Sequence, residues 1–580
     1  MSAPPPPRAL RALLPETQRA LAVRRVSYAG VDLTDELRTP TGTMRLRPVQ
    51  SEALAAIRDA RGGVFPIGVG HGKTLISLLA GTVLGARMTL LLTKPGIVPQ
   101  AKRDAVVLAR HWRLVPVQVM SYAALSRPEQ TDALSRLIAA YGTGLVVVAD
   151  ECHELRNLQS ARTRRVARLM AEHCVPFVAL SGTIAGRSPR DFAHLAEWAL
   201  RENSPLPRVS EGRYLSHLEA WAETTEAAGR PGVEHWATVW PLVQTFGDVA
   251  PHVAAAAQGL ERVAIARRAF RARLASAPGV VMTTESSIGT ALEIDVRAPQ
   301  IPPEVRKLLL DVEESSQRPD GEELVDDLAR ATCRRQITAG YYLRWDWPGG
   351  VVDRAWLDAR AAWARCVREE LEHAVDGYDS PLLVWREVAR QVAAGESGYI
   401  HRCWRAWDQQ RHKPKPPTVV EWVSDYYLRI VAEAIESESQ KGPTLVWYSS
   451  SAVEAFLRLC GMEVYGAGVL PPEDGRSTIA CSIRSHGTGR NLQRWARSLI
   501  VEPSSSGTIT EQLLGRTHRP YQEADTVSVV VFGHAAFGDA ITSAVRDARY
   551  IEGSYSTPQK LLQATWLGAV PAIVTSNTGE

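Results

Sequence analysis

A chain of 580 residues has room for roughly three to four domain-sized units. Its 45% hydrophobic and 22% charged content is ordinary for a soluble globular protein with a large core, and a net charge of +4 allows a nucleic-acid partner only through a local basic footprint. No run of eighteen apolar residues occurs and the seven cysteines form no C-x-x-C pair, which excludes a membrane span, a structural zinc site and a disulfide framework and points to reduced thiols in a cytosolic compartment.

Residues 1–43 read as a tail plus a short leading element. The opening MSAPPPPRALRALL has a proline run followed by charged residues and lacks the apolar stretch of a signal peptide. From 44 to about 200, strand-like runs alternate with helical stretches. MTLLLT (88–93), LVVVAD (145–150) and PFVALSG (176–182) are apolar throughout, as strands of a parallel sheet covered on both faces should be. Residues 201–280 have helical spacing and extend this first unit, which is expected to end at 297. From 298 to 441 the chain reads as helical, and nine of the 16 tryptophans lie between 345 and 447. Alternation returns from 442 with PTLVWYS (443–449), STIACS (477–482), SLIVEP (498–503) and TVSVVVFG (526–533). The expected architecture is α/β: strand–helix units at 44–297 and 442–580 with a helical, Trp-rich insert at 298–441.

Two stretches carry chemistry. In IGVGHGKT (67–74), Gly70, Gly72, Lys73 and Thr74 follow a buried strand and precede a helix with apolar spacing. A strand, a glycine turn and a helix N-terminus bring backbone N–H groups onto one point, which suits phosphate oxygens. Lys73 would neutralise outer phosphates and Thr74 would reach Mg²⁺. Ile67 stands where the G-x-x-x-x-G-K-[ST] pattern has its first glycine. His71 fills a variable loop position. The second stretch is Asp150-Glu151-Cys152-His153, at the end of LVVVAD. Open α/β sheets place ligands at that edge. Asp150 there can hold a Mg²⁺-bound water, and Glu151 can orient or deprotonate an attacking water.

With DECH in place, the chain resembles the superfamily-two helicases and translocases of the D-E-x-H type, most closely the Swi/Snf branch or its phage relatives. Other segments follow in that family's order. LRPVQSEAL (46–54) is similar to the segment whose Gln reads adenine, here Gln50. LLLTKPGIVPQ (90–100) and MSYAALS (120–126) resemble segments that contact a nucleic-acid backbone, which implies Thr93, Lys94, Pro95 and Ser121. Ser181-Gly182-Thr183 matches the motif coupling the nucleotide site to the cleft. GTGRNL (487–492) resembles a second-lobe motif beginning at Gly487. EQLLGRTHRPYQ (511–522) is similar to Q-x-x-G-R-x-x-R-x-x-Q, with Gln512, Gly515, Arg516, Arg519 and Gln522 matching one by one. Ile184 departs from the Pro usual in the Swi/Snf branch. The resemblance covers 44–200 and 442–530.

The resemblance implies two RecA-like lobes that bind ATP and Mg²⁺ between them, with Lys73, Glu151, Arg516 and Arg519 catalytic and Arg519 the first candidate for an arginine finger. It implies a monomer acting on duplex or single-stranded DNA in the cytoplasm of a bacterial or phage-infected cell. An RNA helicase, a non-hydrolysing binding module and an unrelated P-loop kinase stay open as alternatives. In WRAWDQQRHKPKPP (404–417), Trp404, Arg405 and Trp407 interleave rings with cations. That pattern suits single-strand stacking or, equally in type, the core of the helical insert.

Overall fold

The computed structural model describes residues 19–20, 22–68, 70–125, 128–158, 160–182, 188–206, 225, 243, 260–283, 290–322, 324, 327–373, 381–487, 491–519 and 522–575. Thr183, Ile184 and residues 488–490 of GTGRNL lie outside them.

The described chain is α/β, with two parallel sheets flanked by helices. The first sheet holds β1 (Gly63–Pro66), β2 (Met88–Thr93), β3 (Val117–Ser121), β4 (Leu145–Asp150) and β5 (Phe177–Ser181), in the order β1-β5-β4-β2-β3. Every pair in it is parallel. β1, β4 and β5 are adjacent and point the same way, so the loops after Pro66, Asp150 and Ser181 leave one edge side by side. β4 and β5 are buried along both faces, which is why they read as continuous apolar runs rather than alternating ones.

The second sheet holds β6 (Ala291–Arg297), β9 (Thr444–Tyr448), β10 (Val464–Tyr465), β11 (Ile479–Ser482), β12 (Arg497–Ile500), β13 (Thr526–Phe532) and β14 (Thr565–Gly568), in the order β10-β11-β9-β12-β13-β6-β14. The placement of β6 corrects the expected boundary at 297/298. β6 pairs with β13 from Ala291↔Thr526 to Arg297↔Phe532 and carries β14 on its other edge. The helices Pro303–Ser315, Asp327–Thr338 and Tyr426–Lys441 pack Val305, Ile337, Tyr427 and Val431 into one core with Val446, Leu499 and Phe532 of this sheet. The second unit therefore takes in β6 and much of the span expected to be insert.

What departs from that unit is the stretch between β7 (Tyr341–Trp345) and β8 (Thr418–Trp422), an antiparallel pair. Three helices, Arg354–His373, Pro381–Ala393 and Tyr399–Gln410, follow β7 and lead back to β8. Trp363, Cys366, Val384, Val388 and Cys403 form their small core, with Trp385, Trp404 and Trp407 packed against it. The rings engage one another: Trp404 lies 4.9 Å from Trp385 and Trp407 lies 5.5 Å from Trp356, centroid to centroid. Arg411 sits over Trp385 at 4.4 Å, a contact within these three helices and the turn after them. Trp404 and Trp407 are thus occupied as packing, which favours their core role over base stacking. Arg405 is exposed beside them. Replacing Trp407 or Trp404 by Ala is expected to cost about 3 kcal/mol, the low end for a core tryptophan because both rings are only half-buried. A thermal melt reads this directly; an unchanged Tm with weakened single-strand binding would reverse the assignment.

One helix ties the two sheets together. Ala535–Tyr555 contributes Ile541, Ala544, Val545 and Ala548 to the core beneath β12 and β13. Its far end contributes Tyr550, Ile551 and Tyr555 to the core of the first sheet. There Tyr555 meets Phe192 and Phe270 edge-on at 5.6 and 5.8 Å. The turn that follows this helix is consequently fixed at the boundary between the sheets.

Among the described residues no helix is long and apolar enough to cross a membrane. All seven cysteines are free thiols.

Candidate functional site

The loop after β1 brings its glycines round to the Lys73–Val83 helix. Gly70 and Gly72 have φ of +91° and +78°, the left-handed region open to glycine without strain. A Cβ on Gly72 would lie 2.1 Å from Gln50 Nε2. Gln50 is buried and holds the loop: its Nε2 donates to His71 O at 3.4 Å and Gly72 O at 3.3 Å, and its Oε1 accepts from Arg47 N at 2.8 Å. Arg47 donates to Gly70 O at 2.8 Å. The residue expected to read adenine therefore braces the loop in this structure. Ile67 is fully buried, its side chain in the core beneath the sheet. Gly68 N donates to the Thr283 hydroxyl at 3.0 Å.

Lys73 Nζ donates to Ile67 O at 3.0 Å and Gly68 O at 3.3 Å, and lies 4.0 Å from Glu151 Oε1. Thr74 follows it in the first turn of the helix. Burial pulls the His71 imidazole down to about 4, with Lys73, Arg47 and Lys560 adding to the effect. His71 is thus neutral at pH 7.

Glu151 has φ +57°, an unusual conformation for a side-chain-bearing residue and one found repeatedly at functional turns. Burial opposes its ionisation, but Lys73 and the His153 hydrogen bond outweigh that and hold its carboxyl well below the usual range. Glu151 Oε2 accepts from the Ser181 hydroxyl at 3.2 Å and sits 3.3 Å from His153 Nδ1. His153 Nδ1 and Ser181 Oγ are themselves 3.0 Å apart. His153 thus links two motifs on adjacent strands. The sequence contained it inside DECH, yet nothing in the sequence fixed its partners.

Asp150 is the opposite case: burial raises its proton affinity, and the neighbouring Glu151 adds to that. Its Oδ2 accepts from the Thr93 hydroxyl at 3.3 Å. A buried carboxylate disfavoured as an anion beside a second carboxylate is a place where a cation relieves the strain. Mg²⁺ takes one or two carboxylates and completes its shell with phosphate oxygens and water. Asp150 supplies one such carboxylate. Among the described residues no group of three or more His, Cys, Asp or Glu side chains could hold a metal by itself.

The second sheet supplies the facing wall through the helix Gly507–Thr517, where Gln512, Gly515 and Arg516 are buried. Gln512 spans the gap: Nε2 donates to Glu151 Oε2 at 3.5 Å and Oε1 accepts from Lys94 Nζ at 3.4 Å. Lys94 also lies 3.5 Å from Glu154. Thr93 is fully buried, and Ser121 caps the short helix Tyr122–Leu125 by accepting from Ala124 N at 3.1 Å. Of the four residues expected against a nucleic-acid backbone, only Pro95 is exposed; Thr93 and Lys94 are engaged at the candidate nucleotide site. Their hydroxyl and ammonium are satisfied by carboxylate and amide groups that sequence spacing could not reveal.

Arg516 Nε donates to Gln512 O at 2.9 Å. Burial lowers its pKa to about 10 with help from Arg519, while Glu151 pulls the other way. Arg519 is lowered by burial and favoured by Glu473 of its own unit. Glu151 thus bears on Arg516, while Arg519 is met by a local acid, Glu473. Gln522 donates to Gln493 O at 2.7 Å and Thr517 O at 3.0 Å, a structural tie. Gly487 is buried at the end of Ile483–His486, where a Cβ would meet Ile483 O at 2.5 Å.

A cavity lies where these walls meet. It is lined by Gly68, Glu151 and Gly182 from the first sheet and by Glu511, Gln512, Thr557, Pro558 and Gln559 from the second. Residues 557–559 carry no motif and were missed by sequence reasoning. No protein-family model matches the chain, and no curated protein matches it.

Proposed function

We propose that the chain is a nucleic-acid-dependent ATPase that translocates along or unwinds DNA, with each parallel sheet acting as a RecA-like lobe and the Trp-rich helices as an insert in the second. The observation that carries this is the convergence of three separated motifs on Glu151, whose carboxylate lies 4.0 Å from Lys73 Nζ and 3.5 Å from Gln512 Nε2 beside one cavity. A chance glycine turn and a chance acidic strand end would not be expected to face a buried Gln–Gly–Arg helix of another sheet.

In this scheme Lys73 and the loop N–H groups would hold the outer phosphates of ATP, while Thr74 and Asp150 would hold Mg²⁺, whose charge would offset that of the phosphates. Glu151 is ionised and fixed by Lys73, His153 and Ser181, so it can orient an attacking water and accept its proton. Arg516 brings a fixed positive charge toward the phosphoryl group from the facing lobe. Gln512 bonds Glu151 across the cavity, so the carboxylate is tied to the facing lobe. This connects the chemistry to the relative position of the lobes.

Steady-state ATP hydrolysis measured with no nucleic acid, single-stranded DNA, duplex DNA and RNA tests the proposal. Stimulation by DNA supports it; stimulation by RNA alone would make the protein an RNA helicase, and no hydrolysis under any condition would sink it. Glu151→Gln is expected to bind ATP and Mg²⁺ while turnover falls by roughly 10²–10⁴, the usual worth of a general base. Such a variant should retain nucleic acid in the ATP-bound state. Equal losses in binding and turnover would mark Glu151 as structural instead.

A further inference from the structure

The turn Thr557-Pro558-Gln559 belongs to none of the motifs, yet it forms much of the second-sheet wall of the cavity, and Lys560 follows it directly. It follows the helix that is anchored in both cores, and Ser556 with φ +52° redirects the chain immediately after that helix. Gln559 N donates to Glu552 Oε2 at 2.8 Å, locking the turn to the helix. Thr557 and Gln559 are at least 99% buried, and Thr557 Oγ1 and Gln559 Oε1 have no hydrogen-bond partner. Buried polar atoms are nearly always paired, so two orphans in a turn that lines a cavity point to a partner not supplied by the protein.

The charge at this wall points to what that ligand is. Lys560 is one of only eight lysines in the chain. It is 7% exposed, and its Nζ lies 3.4 Å from Glu511 Oε1 while its N–H donates to Glu511 Oε2 at 2.7 Å. Glu511 is likewise buried and lines the same cavity. The pair balances itself without a ligand, and an incoming polyanion would compete with Glu511 for the ammonium. The first-sheet wall opposite is Gly68, Glu151 and Gly182. Glu151 is the carboxylate placed to act on water, so what faces it across the cavity faces the bond to be broken.

We infer that, resting on the phosphate-loop reading of Lys73, Thr557 and Lys560 recognise the terminal phosphate of a nucleoside triphosphate from the second sheet. The Thr557 hydroxyl donates to a terminal phosphate oxygen and the Lys560 ammonium turns from Glu511 toward it. The Gln559 amide, whose Nε2 donates to Thr557 O at 3.0 Å, holds the turn in shape. The turn would then distinguish a triphosphate from a diphosphate, which the loop around Lys73, gripping the inner phosphates as well, does less sharply.

The test is titration of ATP and of ADP, each with Mg²⁺, into the full chain and four variants. Lys73→Ala should lose affinity for both nucleotides. Thr557→Val should keep ADP affinity within about twofold and lose about tenfold for ATP, the worth of one hydrogen bond to a charged group. It should also melt no lower than wild type, because it removes a partnerless buried hydroxyl. Thr557→Ser should retain the ATP preference. The neutral pair Lys560→Gln with Glu511→Gln avoids leaving a lone buried charge and should lose at least tenfold for ATP alone. If Thr557→Val and the neutral pair keep the wild-type ATP-to-ADP ratio while Lys73→Ala loses binding, the inference is wrong and the phosphate loop stands. Parallel losses for ATP and ADP would also overturn it, as a general distortion. If Lys73→Ala binds ATP like wild type, the phosphate-loop reading fails and takes the inference with it.

Discussion

Lys73→Ala is expected to reduce ATP turnover by roughly 10²–10³ or more, the cost of removing one preorganised electrostatic donor from a closed site. The ammonium does two things in the structure. It is held by Ile67 O and Gly68 O, so it is already aimed into the loop where phosphates would lie. It is also the leading charge keeping Glu151 ionised. Removing it should therefore weaken ATP binding and raise the proton affinity of Glu151 together. A double-mutant cycle separates the two effects. Glu151→Gln alone and Lys73→Ala alone should each change the melting temperature. The double variant should be less destabilised than their sum, because the charge left buried by one change is absent in the other. Additive shifts would mean that the 4.0 Å pair is not coupled. Wild-type turnover in Lys73→Ala would remove the basis for an ATP site at this loop.

How much of this was legible in the sequence depends on what each residue's role needs. The strands β2, β4 and β5 were readable because both faces are covered, which forces continuous apolar runs. The loop glycines were readable because the positive-φ turn needs glycine at that spacing. Ile67 looked like a defect and is not one: spacing cannot show that its side chain enters the core. β6 was not assigned to the second unit because its pairing with β13 joins segments far apart in the chain. Its ALEIDVR alternates buried and part-exposed positions, a signal for a strand but not for its partner. Trp404 and Trp407 show the same limit from another side. Ring and cation types suit base stacking and a small core equally, and only the neighbouring Trp385 and Trp356 decide. Thr557–Lys560 was invisible because the geometry of a helix anchored in two cores, not any local pattern, carries it to the cavity.

Arg516→Ala is expected to lower turnover by roughly 10³–10⁵, the range for a finger that meets charge developing in the transition state. The reason is positional. Arg516 lies on the helix that carries Gln512, and Gln512 reaches Glu151 across the cavity. Glu151 acts on the Arg516 guanidinium, whereas Glu473 is the acid that favours Arg519. A side chain whose contact strengthens only as the phosphoryl group gains charge should leave ATP affinity nearly unchanged, so the loss should appear in kcat with little change in KM. Arg516→Lys should recover only part of the rate, since an ammonium supplies charge without the planar fork of donors. Because Arg516 is buried, its fold control is a melt of the Lys variant, which keeps the charge and most of the stem. Arg519→Ala is expected to lose less than Arg516→Ala. If instead Arg519→Ala abolishes nucleic-acid-stimulated hydrolysis while Arg516→Ala retains it, the finger is Arg519, and the second sheet must shift on nucleotide binding far enough to exchange Glu473 for phosphate.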